Sequence, residues 1–134
     1  MSEEASPEAG HGRHFTREQA NELLPMLEPL LRQLQQAKEE LTDEEAHELL
    51  SDAAPSNGGG DAGHRVGTAF LEVRRLLEIL EESGIVLRDI DRGLVDFPAL
   101  NEGREIYLCW ELGEDEIAYW HELETGFGGR QPLD

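Results

Sequence analysis

A chain of 134 residues suits one domain, and at this size roughly two thirds of the unfolded surface can be buried. Its 30 acidic residues against 11 basic ones give a formal charge of -19, which repels phosphate backbones and anionic headgroups, so nucleic acid and membrane surfaces are excluded as expected partners. Cys109 is the only cysteine, which excludes an intrachain disulfide and any zinc site built on several cysteines.

The start, Met1 to Gly10, has neither a basic opening nor an apolar run, and no stretch approaches the roughly 20 apolar residues of a membrane span, so a cytoplasmic protein is expected. Met1 to His14 is polar and unpatterned and reads as a disordered tail, in which His11 and His14 are solvated rather than metal-bound. Lys38 is the only lysine, a composition that fits either a salt-rich cytoplasm or a genome that writes Arg for Lys.

Phe15-Thr16-Arg17-Glu18-Gln19 predicts a helix start, with Thr16 and Gln19 as a capping box and Phe15 as the staple residue. Ala20, Leu23, Leu24, Leu27, Leu30, Leu31, Leu34, Ala37 and Leu41 form one apolar stripe at helical spacing. Pro25 and Pro29 fall inside it and each removes a ladder donor, so a bend is expected there. The carboxylate run from Glu39 to Glu48, with a second capping box at Thr42 and Glu45, reads as a short acidic helix ending near Leu50. Ser51 to Gly63 is a flexible linker by composition. A second long helix is predicted from about His64 to Ser83 on the stripe Val66, Ala69, Phe70, Val73, Leu76, Leu77, Leu80, with Gly84 as its left-handed cap.

From Gly84 the period changes from helical to alternating. Strands are expected at Ile85 to Ile90, Leu94 to Phe97 with Pro98 ending it, Glu105 to Leu112, and Ile117 to Glu122, followed by an irregular tail from Leu123 to Asp134. The fold class that follows is α+β: a bent antiparallel helical pair and a short acidic helix on a four-stranded antiparallel meander, in one domain over residues 15–134. Taking Gly113 to Glu116 as a four-residue loop pairs Leu112 with Ile117 and Cys109 with Trp120. That register sends Cys109 and His121 to opposite faces, which separates them as nucleophile and base.

Phe15-Thr16, Ala20 to Pro25, Gly93-Leu94-Val95-Asp96-Phe97-Pro98, Leu108-Cys109-Trp110, Gly113-Glu114 and Tyr119-Trp120-His121-Glu122, with Gly126-Phe127 and Gly129-Arg130, are the residues by which the chain resembles the domain-of-unknown-function 2203 family of prokaryotic proteins. The resemblance covers about His14 to Leu133 and implies a small cytoplasmic protein, with no activity, cofactor or site residue attached to it.

Polar candidates gather in the meander: Asp89, Asp91, Asp96, Arg104, Glu111, Glu114, His121, Glu122, Glu124 and Arg130. Of these, Asp96, Arg104, Glu114, His121, Glu124 and Arg130 are candidates for ligand binding. His121, Glu122 and Glu124 are candidates for a divalent metal, the one cofactor their donor types allow, although the spacing lacks two imidazoles on one helical face and calls for no metal by itself. Gly126-Phe127-Gly128-Gly129-Arg130 reads as a flexible turn in preference to an anion nest. Two functions follow. The first is a binding or interaction module for an unknown protein, small molecule or second copy of the chain, using its aromatic strands. The alternative is an enzyme with His121 as general base, aided by carboxylate or metal. An open pocket at His121 discriminates the second from the first.

Overall fold

The computed structural model describes residues 13–41 and 64–133, without side-chain detail at 64–66 and 127. The expected acidic helix, the linker, His11 and His47 lie outside the described residues. Helix α1, Arg17–Lys38, opens on the expected capping box: Thr16 Oγ1 accepts the Gln19 N–H and Gln19 Oε1 accepts the Thr16 N–H, each at 3.0 Å. It runs unbroken through Pro25 and Pro29. Both prolines are exposed, so the ladder donors they remove are missing on the solvent side, where water can serve the carbonyls instead. Ala20, Leu24, Leu27, Leu30, Leu31 and Leu34 form the buried stripe.

Helix α2, His64–Ser83, contributes Val73, Leu76 and Leu80 to the same core. It ends in a Schellman arrangement: Gly84 sits at φ +84°, the Ile85 N–H bonds the Leu80 carbonyl at 3.0 Å and the Gly84 N–H bonds that of Glu81 at 3.0 Å. Among the described residues, no helix is long and apolar enough to cross a membrane.

The sheet is an antiparallel meander of five strands in sequence order: β1 Val86–Asp89, β2 Leu94–Asn101, β3 Arg104–Glu111, β4 Tyr119–Glu122 and β5 Gln131–Pro132. The class is α+β as expected, with one strand more: part of the presumed irregular tail returns through a short 3₁₀ turn, Phe127–Gly129, and pairs with β4. β2 also outruns its expected end. Pro98 stays in the strand because its carbonyl points away from β3, toward the Phe15 N–H at 2.7 Å. A residue's N–H and C=O leave the same side of a strand, so the donor Pro98 lacks would have pointed off the ladder.

The pleat sorts the sheet into two faces. Val95, Phe97 and Ala99 of β2 with Ile106, Leu108 and Trp110 of β3 face the helices and form one core with them, where Phe15 meets Phe97 edge-on at 5.3 Å. Asp96, Pro98, Tyr107, Cys109 and His121 occupy the other face, yet they too are buried. Arginines help cover it: the Arg88 guanidinium lies 4.9 Å from the Tyr107 ring centre and that of Arg130 4.0 Å from Tyr119.

Candidate functional site

Asp96 sits opposite Cys109 in the β2–β3 ladder, and His121 opposite Tyr107 in the β3–β4 ladder. Alternation therefore places Asp96, Cys109, His121 and Tyr107 on the face away from the helices. This corrects the expected hairpin register by one residue: Cys109 pairs with Tyr119, Leu108 with Trp120 and Tyr107 with His121. The cause is the loop, which is held by α1 as well as by the hairpin's own residues. Ile117 N–H bonds Asn21 Oδ1 of α1 at 2.7 Å, Trp110 Nε1 bonds the Glu114 carbonyl at 3.1 Å, and the Glu111 N–H bonds Glu114 Oε1 at 3.0 Å. Ile117 is drawn fully into the core, so the chain regains ladder pairing only at Tyr119.

Asp96, Cys109 and His121 each expose 1 % of their surface. One carboxylate oxygen of Asp96, the Cys109 Sγ and a ring nitrogen of His121 all lie within 4.8 Å of one another. Asp96 Oδ2 accepts from Arg88 Nε at 2.7 Å and meets His121 Nε2 at 3.0 Å, while Oδ1 meets no such partner among the described residues. His121 Nδ1 lies 2.7 Å from the Glu122 carbonyl; a carbonyl only accepts, so Nδ1 carries the proton and Nε2 is the nitrogen turned to the cluster. The His121 ring also rests 5.4 Å from that of Tyr107.

Burial pushes the Cys109 thiol up to about 12, with the nearby Asp96 charge adding to the effect and Arg130 opposing it. A thiol so held is a poor nucleophile, and the Cys109–His121 pair, although it shares a face, does not read as a nucleophile and base. Burial works to lower the Arg88 pKa, but its hydrogen bond and charge contact with Asp96 outweigh that and hold the guanidinium above its ordinary value.

The other candidates are dispersed. Glu114 and Arg130 form a close charged pair beside the cluster, with the single nitrogen Arg130 Nη2 donating to both Oε1, at 2.6 Å, and Oε2. Arg104 meets Glu122 at 3.3 Å, both more than two fifths exposed, and Glu122 neighbours His121 in sequence so its side chain leaves the opposite face. Glu124 is exposed in the turn after β4. His121, Glu122 and Glu124 are thus not brought together as a metal set. Asp91 pairs with Lys38 and Glu111 with Arg92 at the surface, while the Asp89 carboxylate accepts the Arg92 N–H. His14, at the edge of the expected tail, meets Glu105 at 2.9 Å.

Sequence reading missed Arg88 and placed His121 on the wrong face. Arg88 owes its position to a bulge, since pairing passes from Leu87–Val95 to Asp89–Leu94 and leaves it as the extra residue. No turn residue or break in alternation marks that step. An open cleft does exist between α1 and the β3–β4 loop, lined by Leu24, Pro25, Glu28 and Trp110 among others, but it lies on the helix side and does not include His121.

Fold and site together define a small α+β protein whose sheet encloses a nitrogen, oxygen and sulfur donor cluster on the face away from α1 and α2. The chain belongs to the family described as "Uncharacterized conserved protein (DUF2203)", whose model matches residues 13–133. No curated protein and no solved structure matches it.

Proposed function

We propose that the protein is a cytoplasmic, non-enzymatic binding module that holds a small ligand inside the sheet. The observation that carries this is the enclosure of converging donors: Asp96, Cys109 and His121 point at one another, yet each is 1 % exposed. A general base must reach its substrate's proton directly or through one water, and a His121 shut in this way has no room beside it for a reacting molecule. The thiol raised to about 12 argues in the same direction.

The test compares wild type with His121→Gln across ester, phosphoester and amide substrates, using circular dichroism to confirm that both are folded. Equal background rates are expected. A turnover that His121→Gln abolishes in folded protein would overturn the binding reading in favour of the enzyme.

A further inference from the structure

Resting on that binding reading, we infer that the ligand is a single divalent transition-metal cation of zinc-like character, held by Asp96 Oδ1, Cys109 Sγ and His121 Nε2. Three observations converge on it. The donors are one oxygen, one sulfur and one imidazole nitrogen, a set that suits borderline cations, whereas magnesium and calcium take oxygen alone. The spacing is close to what coordination needs. Bonds of about 2.0–2.3 Å directed to tetrahedral corners separate the donor atoms by roughly 3.4–3.6 Å. One carboxylate oxygen of Asp96, the Cys109 Sγ and a ring nitrogen of His121 already lie within 4.8 Å of one another, so side-chain shifts of about an ångström, small against that tetrahedral separation, close the site.

The third observation is the state of the surrounding bonds. Asp96 Oδ1 is a carboxylate oxygen in a side chain 1 % exposed and meets no donor at hydrogen-bond geometry among the described residues, whereas buried polar atoms nearly always have one. The Cys109 thiol interacts with the Asp96 carboxylate, and a cation that binds the thiolate would take the place of that proton and serve the same oxygen. The outer partners are also in place. His121 Nδ1–H is committed to the Glu122 carbonyl, which leaves the Nε2 lone pair for the metal, and Arg88 Nε fixes Asp96 through the other oxygen, Oδ2. Binding forms one bond from the metal to each of S, N and O. The thiol proton, and any proton held between Nε2 and Asp96, pass to solvent, and nothing is oxidised or reduced.

The chain's single cysteine makes the test specific. Untagged full-length protein, stripped with a chelator, is titrated with Co²⁺. A thiolate-to-cobalt charge-transfer band that saturates at one equivalent is expected, to be bleached by Zn²⁺ and left unchanged by Mg²⁺ or Ca²⁺. Histidines elsewhere in the chain cannot produce that band. Cys109→Ser should abolish it, and Asp96→Asn, which keeps the side-chain shape, should weaken cobalt binding. Folded wild-type protein without the band, or a band that survives Cys109→Ser, would overturn the metal assignment. His121-dependent turnover would instead sink the binding reading, so the two failures are read in different assays.

Discussion

Asp96 is the residue whose removal tests the site most directly, and the cost can be worked from its contacts. In metal-stripped protein, Asp96→Ala takes away the acceptor 2.7 Å from Arg88 Nε and 3.0 Å from His121 Nε2. Removing one partner of a buried charged pair commonly costs about 3–5 kcal/mol. The Arg88 side chain is 41 % exposed and can turn to water, so its share of the loss is screened. Asp96 Oδ1 already meets no hydrogen-bond partner among the described residues, and deleting it relieves on the order of 1 kcal/mol. The remainder, the stranding of His121 at 1 % exposure, leaves a net destabilisation of about 2–3 kcal/mol. In urea this lowers the unfolding midpoint by about 1–2 M at an unchanged slope. Asp96→Asn retains an acceptor of the same shape and should cost about 1–2 kcal/mol. An Asp96→Ala protein within about 0.5 kcal/mol of wild type would refute the reasoning and reduce the cluster to a set of unimportant neighbours.

Gly93→Ala should destabilise by about 2–4 kcal/mol, combining strain at positive φ with overpacking. Gly93 sits at φ +64°, and an added Cβ would lie 2.5 Å from Leu112 Cβ; thermal unfolding close to wild type would show that the turn relaxes. Phe97→Ala should cost about 3–5 kcal/mol, since Phe97 is fully buried against Phe15 in the shared core, and chemical denaturation measures it. The Cys109 thiol predicts an alkaline weakness. Its folded value of about 12 exceeds the ordinary thiol value of 9.0, so between these limits the folded chain binds more protons than the unfolded one and stability falls as pH rises. The contribution is complete below 9.0 and is lost as pH climbs to about 12; measured in the metal-stripped protein, Cys109→Ala should flatten the profile across that window relative to wild type.

Local chemistry was legible wherever it was also sufficient. The Thr16–Gln19 capping box, the stripe from Ala20 to Leu34, the Gly84 cap and the alternation of Ile106, Leu108 and Trp110 each use interactions within a few residues, and each is found as read. The β3–β4 register was not legible, because a residue in a distant helix decides it. Asn21 takes the Ile117 N–H across 96 residues of chain, and a four-residue loop cannot form once Ile117 is held there. One step of slip then moves His121 from apolar company to the side of Asp96 and Cys109. Pro98 misled for a related reason, since a proline stops a strand only where its missing donor would have faced a neighbouring strand.

The same Pro98 bears on how the sheet meets other molecules. β1 is four residues long and pairs with β2 only as far as Asp96, so the second half of β2 projects past it. Open β edges recruit foreign strands because they present a regular row of donors and acceptors. Along this overhang the row is spoiled at its start: Pro98 offers no hydrogen, and its oxygen is already taken by Phe15, where the chain turns into α1. At the opposite rim the last strand is only Gln131–Pro132, again ending on a residue without a donor. Among the described residues an incoming strand would therefore find no uninterrupted template longer than β1 on either rim, and the segment that leads into the first helix also keeps the sheet from growing into its neighbours.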